Sequence, residues 1–230
     1  MILRVLLIFA LFLRSTATIA APTVAVDVGH TLAEPGATSA RGRSEFEFNR
    51  LFADSLVTAL HGLGLEVREI NFSGDIGALA ARPGQARGST FFVSVHHDSI
   101  GAEYLSFWDW DGTEMSYTDL KQGFGLFVSR RNPDLARSLR CASAMGAMLR
   151  RAGFVPTPWH ARKHVAADAE NGVWFYDNLV VLHQATFPAV LFEAGVIKHR
   201  DEELALLDPE RQSRMAEALA TGIAACLVTP

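Results

Sequence analysis

The chain has 230 residues, is 49% hydrophobic and carries a formal net charge of −4. That composition supports one packed core and excludes the strongly basic footprint of a nucleic-acid binder. Its length fits a single domain, and its two cysteines, Cys141 and Cys226, lack the neighbours of a metal finger.

The first segment reads as an export signal. Arg4 precedes an apolar run over 5–13, and Thr18-Ile19-Ala20 supplies small residues for cleavage near Ala20 or Ala21. The run is too short for a permanent membrane span, which needs about 20 apolar residues. The expected organisation is therefore a signal peptide over 1–21 and one domain over 22–230, destined for the periplasm or the exterior. In such an oxidising compartment Cys141 and Cys226 can pair, or they can remain buried thiols.

Residues 24–28 predict a strand closed by Gly29-His30, followed by a Gly/Pro-rich loop over 31–43. Ser44 is a helix cap, and Phe48, Leu51, Phe52, Leu56 and Leu60 mark the apolar face of a helix over 44–61, which Gly62 and Gly64 end. Further strands are expected at 65–70, 91–96 and 189–193, and further helices at 134–152 and 209–227. Strands separated by helices imply crossover connections. The expected fold is α/β: a single domain with a mostly parallel, open twisted sheet and helices on both faces. Two segments, 101–132 and 154–178, read as long aromatic-rich connections, and connections of that length in a compact domain are usually functional.

In an open parallel sheet, ligands bind beyond the carboxyl ends of the strands. His30, His96 and Glu193 stand at such ends, and Glu45 lies in the first helical turn after the loop that follows His30. Two imidazoles and a carboxylate make a three-ligand site for a catalytic zinc, with a second carboxylate left as general base. Each residue also has a structural reading: His30 ends a strand, Glu45 suits a helix N-terminus, and His96-His97 begins a loop. The residues alone therefore stop at a metal or acid–base site. No Gly-x-Ser-x-Gly elbow and no phosphate-binding glycine loop follows a strand, which argues against a serine hydrolase and a nucleotide binder.

Three blocks carry a family resemblance. Asp27-Val28-Gly29-His30 with Pro35-Gly36-Ala37 and Gly42-Arg43-Ser44-Glu45, then Phe92 to His96, then Pro188 to Gly195, resemble in order the zinc-dependent N-acetylmuramoyl-L-alanine amidases. The resemblance implies that 22–230 is a catalytic domain. It implies Zn2+ held by His30, Glu45 and His96, with Glu193 as the catalytic glutamate. The implied substrate is peptidoglycan, cut between N-acetylmuramic acid and L-alanine. The chain departs from the family at Thr31-Leu32, where Gly-Gly is common, and at 196–199, which bears on loop shape.

Rivals stay open at this level. Glu47 shares a turn with Glu45, and the Gly42-to-Glu45 spacing favours Glu45. His97 is expected to face away from His96, because adjacent strand residues point to opposite faces, leaving His97 and Asp98 at the entrance or in solvent. His160 can donate to a developing oxyanion, ligate a resting metal, or pack on Trp159; His164, His183 and His199 have weaker claims. The 101–132 segment can be a substrate wall, a lid or a satellite cluster. A secreted zinc peptidase and a non-catalytic wall-binding relative are the alternative functions, and a protein activator is left open.

Overall fold

A computed structural model describes residues 21–228. The expected export signal, up to residue 20, lies outside the described residues. In chain order the elements are β1 (Thr23–Val28), α1 (Glu45–Gly62), β2 (Glu66–Ile70), α2 (Ala81–Gln85), β3 (Phe91–Asp98), β4 (Ser106–Trp110), β5 (Thr113–Tyr117), β6 (Gly125–Val128), α3 (Leu135–Arg151), β7 (Val165–Asp168), β8 (Val173–Phe175), α4 (Val180–His183), β9 (Ala189–Val196), α5 (Arg200–Leu207) and α6 (Pro209–Val228).

Seven strands form one sheet in the order β2-β1-β3-β9-β6-β8-β7. The β2, β1, β3 and β9 pairings are parallel, as is β6 with β8, while β6–β9 and β7–β8 are antiparallel. The sheet is mostly parallel, as the alternating pattern predicts. Its antiparallel edge was not foreseen, because β6, β7 and β8 are short strands inside the two segments read as connections. The rest of the 101–132 segment includes a separate β4–β5 hairpin, whose Trp108 indole donates to the Ala40 carbonyl.

Side chains alternate across the sheet with period two. Val24, Val26, Val28, Phe91, Val93, Val95, Val190 and Phe192 face the core under α1, α3 and α6. Ala25, Phe92, Phe127, Trp174, Ala189 and Leu191 face the opposite core, covered by the short α2 and α4 regions. Ser44 and Glu47 form a reciprocal capping box that starts α1. Cys141 on α3 and Cys226 on α6 are paired in a disulfide, with Cα atoms 5.0 Å apart and 85 residues of separation. A loop of that size removes about 4–5 kcal/mol of unfolded-state freedom in the chain-entropy account.

Candidate metal and acid–base centre

The site lies at the carboxyl ends of β1, β3 and β9. Glu45 Oε1 stands 3.0 Å from His30 Nε2 and 3.0 Å from His96 Nδ1. One atom from each of the three side chains lies within 4.8 Å of the others. Ligand atoms around a tetrahedral zinc sit roughly 3–3.5 Å apart, so this nitrogen–nitrogen–oxygen set fits such an ion with small adjustments. Glu47 takes no part, being committed to the helix cap.

A buried polar floor holds these groups. His30 has φ 66°, the left-handed region that costs a non-glycine residue of order 1–3 kcal/mol unless its surroundings impose it. Here the His30 carbonyl accepts from Asn71 Nδ2 and from Arg82 Nη2, both at 2.6 Å. The same two side chains donate to the Val28 carbonyl. Glu45 Oε2 accepts from the Ala37 amide at 3.1 Å, and Asn49 ties the Gly29 carbonyl to α1. Gly29 permits the arrangement: a Cβ there would lie 2.3 Å from the His96 ring.

Electrostatics follow from this enclosure. Burial works to raise the Glu45 carboxyl, but its hydrogen bonds to His30 and His96 outweigh it and hold Glu45 well below the ordinary carboxylate range. Burial keeps His96 below the usual imidazole value. Asp27, fully enclosed beneath the site, is pushed up to about 7 by burial, against the opposing pull of Arg82 and of its hydrogen bond to Ser94.

Glu193 is paired in register with His96 on β3 and with Gly125 on β6. A register irregularity between His96 and Asp98 marks the junction of β3 with β9, and such bulges commonly re-aim side chains beside active sites. Glu193 Oε2 is buried without a hydrogen-bond partner. Burial first, then the charges of Asp98 and Glu45, raise its proton affinity well above the ordinary range.

His97 departs from expectation. It is 2% exposed rather than at the entrance, with Nδ1 2.8 Å from Asn49 Oδ1 and its ring against Phe48 and Phe52. It does turn away from His96, but the face it reaches is the core under α1 rather than solvent. Burial pulls its pKa down to about 3. Asp98 points into a cavity beside Glu193, where it is ion-paired to Lys121 and lies 3.2 Å from His160 Nε2. Sequence reading missed Arg82, Asn71 and Lys121. No spacing announces them, because Asn71 and Lys121 reach the site from connections and Arg82 from the short helix α2, whose paths only the fold reveals. His199 caps α5, and His183 ends α4 with Nδ1 3.3 Å from Gln184 Nε2.

A sequence model of the N-acetylmuramoyl-L-alanine amidases matches residues 24–225. The chain belongs to that family. With the match comes the family's activity, peptidoglycan cleavage between N-acetylmuramic acid and L-alanine. Comparison with curated proteins returned no match. Among solved structures, the amidase resembles Ami1 of Mycobacterium smegmatis, with TM-score 0.73, 21% identity and coverage of 92% of this chain and 99% of that one. It resembles the catalytic domain of CwlV from Bacillus (Paenibacillus) polymyxa var. colistinus at TM-score 0.68 and 25% identity, covering 89% and 97%. The CwlD amidase of Clostridioides difficile, solved in complex with the GerS lipoprotein, matches at TM-score 0.68 and 18% identity, covering 91% and 100%. No helix of the described residues is long and apolar enough to cross a membrane.

Proposed function

We propose that this peptidoglycan amidase works with a zinc ion held by His30, Glu45 and His96, and with Glu193 as general base. The observation that carries the reading is the convergence of three ligand atoms within 4.8 Å, one strand away from a buried carboxylate oxygen that has no partner. When bound, zinc supplies a Lewis acid that polarises the amide carbonyl and lowers the pKa of a water toward ~7. Glu193 takes a proton from the attacking water and passes it to the amide nitrogen. The C–N bond then breaks, leaving the lactyl carboxylate on the sugar and a free amine on L-alanine. A carboxylate with raised proton affinity retains the proton long enough to deliver it. Asn71, Arg82 and Ala37 hold His30 and Glu45 in place throughout.

Residues 1–21 are proposed to direct export, which brings the enzyme to its wall substrate. The test is digestion of purified peptidoglycan by the zinc-loaded protein, with soluble products identified by mass spectrometry. Stem peptides beginning with L-alanine are expected, and Glu193→Gln is expected to lower turnover ~10²–10⁴-fold while zinc content stays at one per chain. Full turnover by a folded Glu193→Gln protein would falsify the base assignment. A protein activator enters this reading only if the zinc-loaded chain alone fails to turn over.

A further inference from the structure

Beyond the metal-ligand cluster, the sheet carries a second polar group close to the base. His96, Glu193 and Gly125 lie side by side on β3, β9 and β6, with neighbouring strands about 4.8 Å apart. Gly125 is bare backbone. A Cβ at that position would sit 2.6 Å from His160 Nε2, so the imidazole occupies the space a side chain would take. The order across the sheet is therefore metal-ligand cluster, base, imidazole. His160 comes from a 3₁₀ turn, Pro158–Arg162, inside one of the long aromatic segments.

This turn closes a cavity of about 290 Å³, whose lining includes Asp98, Lys121, Trp159, His160, Lys163 and Tyr176 together with Glu193. Its size matches the smallest ligand clefts, about 300 Å³. His160 is 6% exposed, and its Nε2, though near Asp98, makes no aligned hydrogen bond. Glu193 Oε2 is likewise unpaired. With Asp98 Oδ2, which is ion-paired to Lys121 but accepts no aligned hydrogen bond, three buried polar atoms on one cavity lack such a bond; that is unusual, and a bound ligand is a ready source of partners. Burial, reinforced by the Lys121 charge, holds His160 near pKa 3, so it meets a ligand as a neutral imidazole.

The direction of proton delivery says which part of the substrate belongs there. Glu193 must reach the amide nitrogen, while the carbonyl faces the metal-ligand cluster. The group attached to that nitrogen then runs past Glu193, away from the cluster and into the cavity. We propose that this cavity is the subsite for the leaving stem peptide, with His160 hydrogen-bonding a peptide group beyond L-alanine and Lys163 at the rim pairing with a carboxylate. The inference rests on Glu193 being the base. Aromatic packing holds the wall of the cavity in shape. The His160 ring packs edge-on to Phe127 at 4.7 Å, Trp159 packs edge-on to Tyr104, and Arg162 lies 4.7 Å over Trp159. Lys163 is exposed, and among the described residues no carboxylate is ion-paired with it.

The test compares zinc-loaded protein on N-acetylmuramoyl-L-alanine and on an N-acetylmuramoyl tripeptide. His160→Ala is expected to lower kcat/KM for the tripeptide ~tenfold more than for the short substrate, the loss that goes with one hydrogen bond to a buried group. His160→Gln, which keeps a donor, should restore part of the difference. Equal losses on both substrates, or no loss on either, would overturn the subsite. Should His160→Ala fail to fold, Lys163→Ala replaces it. That exposed change should cost about threefold on a tripeptide with free carboxylates and less on its amidated form, in line with a partly exposed ion pair; no discrimination would overturn the proposal. Failure of the base assignment is separable. Titrating the L-alanyl tripeptide alone into zinc-loaded Glu193→Gln protein should shift the His160 imidazole resonances, and an absence of shifts at millimolar peptide would overturn the subsite whatever Glu193 does.

Discussion

Beneath His30 and Glu45, the Val28 and His30 carbonyls each receive donors from Asn71 and Arg82, and the second Glu45 oxygen has its own backbone donor. Across β9, Glu193 Oε2 and His160 Nε2 face their cavity with no such partner. The two sides of one site are thus built on opposite terms. On the proposed reading, ligands for an ion are oriented before it arrives, and their supports are saturated. Groups proposed to meet a substrate keep hydrogen-bonding capacity in reserve, and burial raises the value of each bond they eventually make.

The sharpest way to break this comparison is to remove the floor. Arg82 is 2% exposed, donates to the Ile76, Val28 and His30 carbonyls and lies 3.8 Å from the buried Asp27. Arg82→Met should cost ~3–5 kcal/mol, because it leaves Asp27 and all three carbonyls short of a partner. Denaturant unfolding of the metal-free protein measures this, and a loss under about 1 kcal/mol would show that the floor is not what holds His30.

Two glycines separate the sides more finely. Gly29→Ala places a methyl against the His96 ring, and Gly125→Ala places one against His160 Nε2. The first should weaken zinc binding ~10–100-fold, the scale of a disturbed ligand orientation. The second should leave zinc affinity within about threefold and lower turnover on peptide substrates instead. Competition with a fluorescent chelator reads the metal term and product release reads the other. Equal zinc losses for both would merge the two sides into one.

The smallest effect concerns His97, which belongs to neither side. Its folded pKa is near 3 and its ordinary value 6.5, so the unfolded chain binds the proton more readily. The stability contributed by the neutral imidazole is complete above about pH 6.5 and is lost as pH falls from there toward 3. His97→Leu should flatten that part of the stability profile in metal-free protein, whatever it does to the absolute value through Asn49. An unchanged slope would mean that other buried groups dominate acid unfolding.

Much of this was legible in the chain. The apolar runs of β1, β3 and β9 and the capped, periodic α1 predicted a parallel sheet, and polar residues at the strand ends predicted where chemistry would gather. His30, Glu45, His96 and Glu193 do gather there. Segments 101–132 and 154–178 misled, because strands of three to five residues leave little periodicity to detect. His97 was placed on the correct side of its strand but in the wrong medium, since alternation gives a direction and says nothing of what covers that face.

The sequence by itself determined the class of fold and the family, and it named four candidate residues for the centre, because each depends on local patterns: apolar runs, a helix cap, short blocks in order. Only the tertiary structure decided that Arg82 and Asn71 support His30, that Cys141 meets Cys226, and that His160 lies over Gly125 beside Glu193. Those contacts join residues far apart in the chain. Strand register and the path of irregular segments set them, and neither is written in any local periodicity.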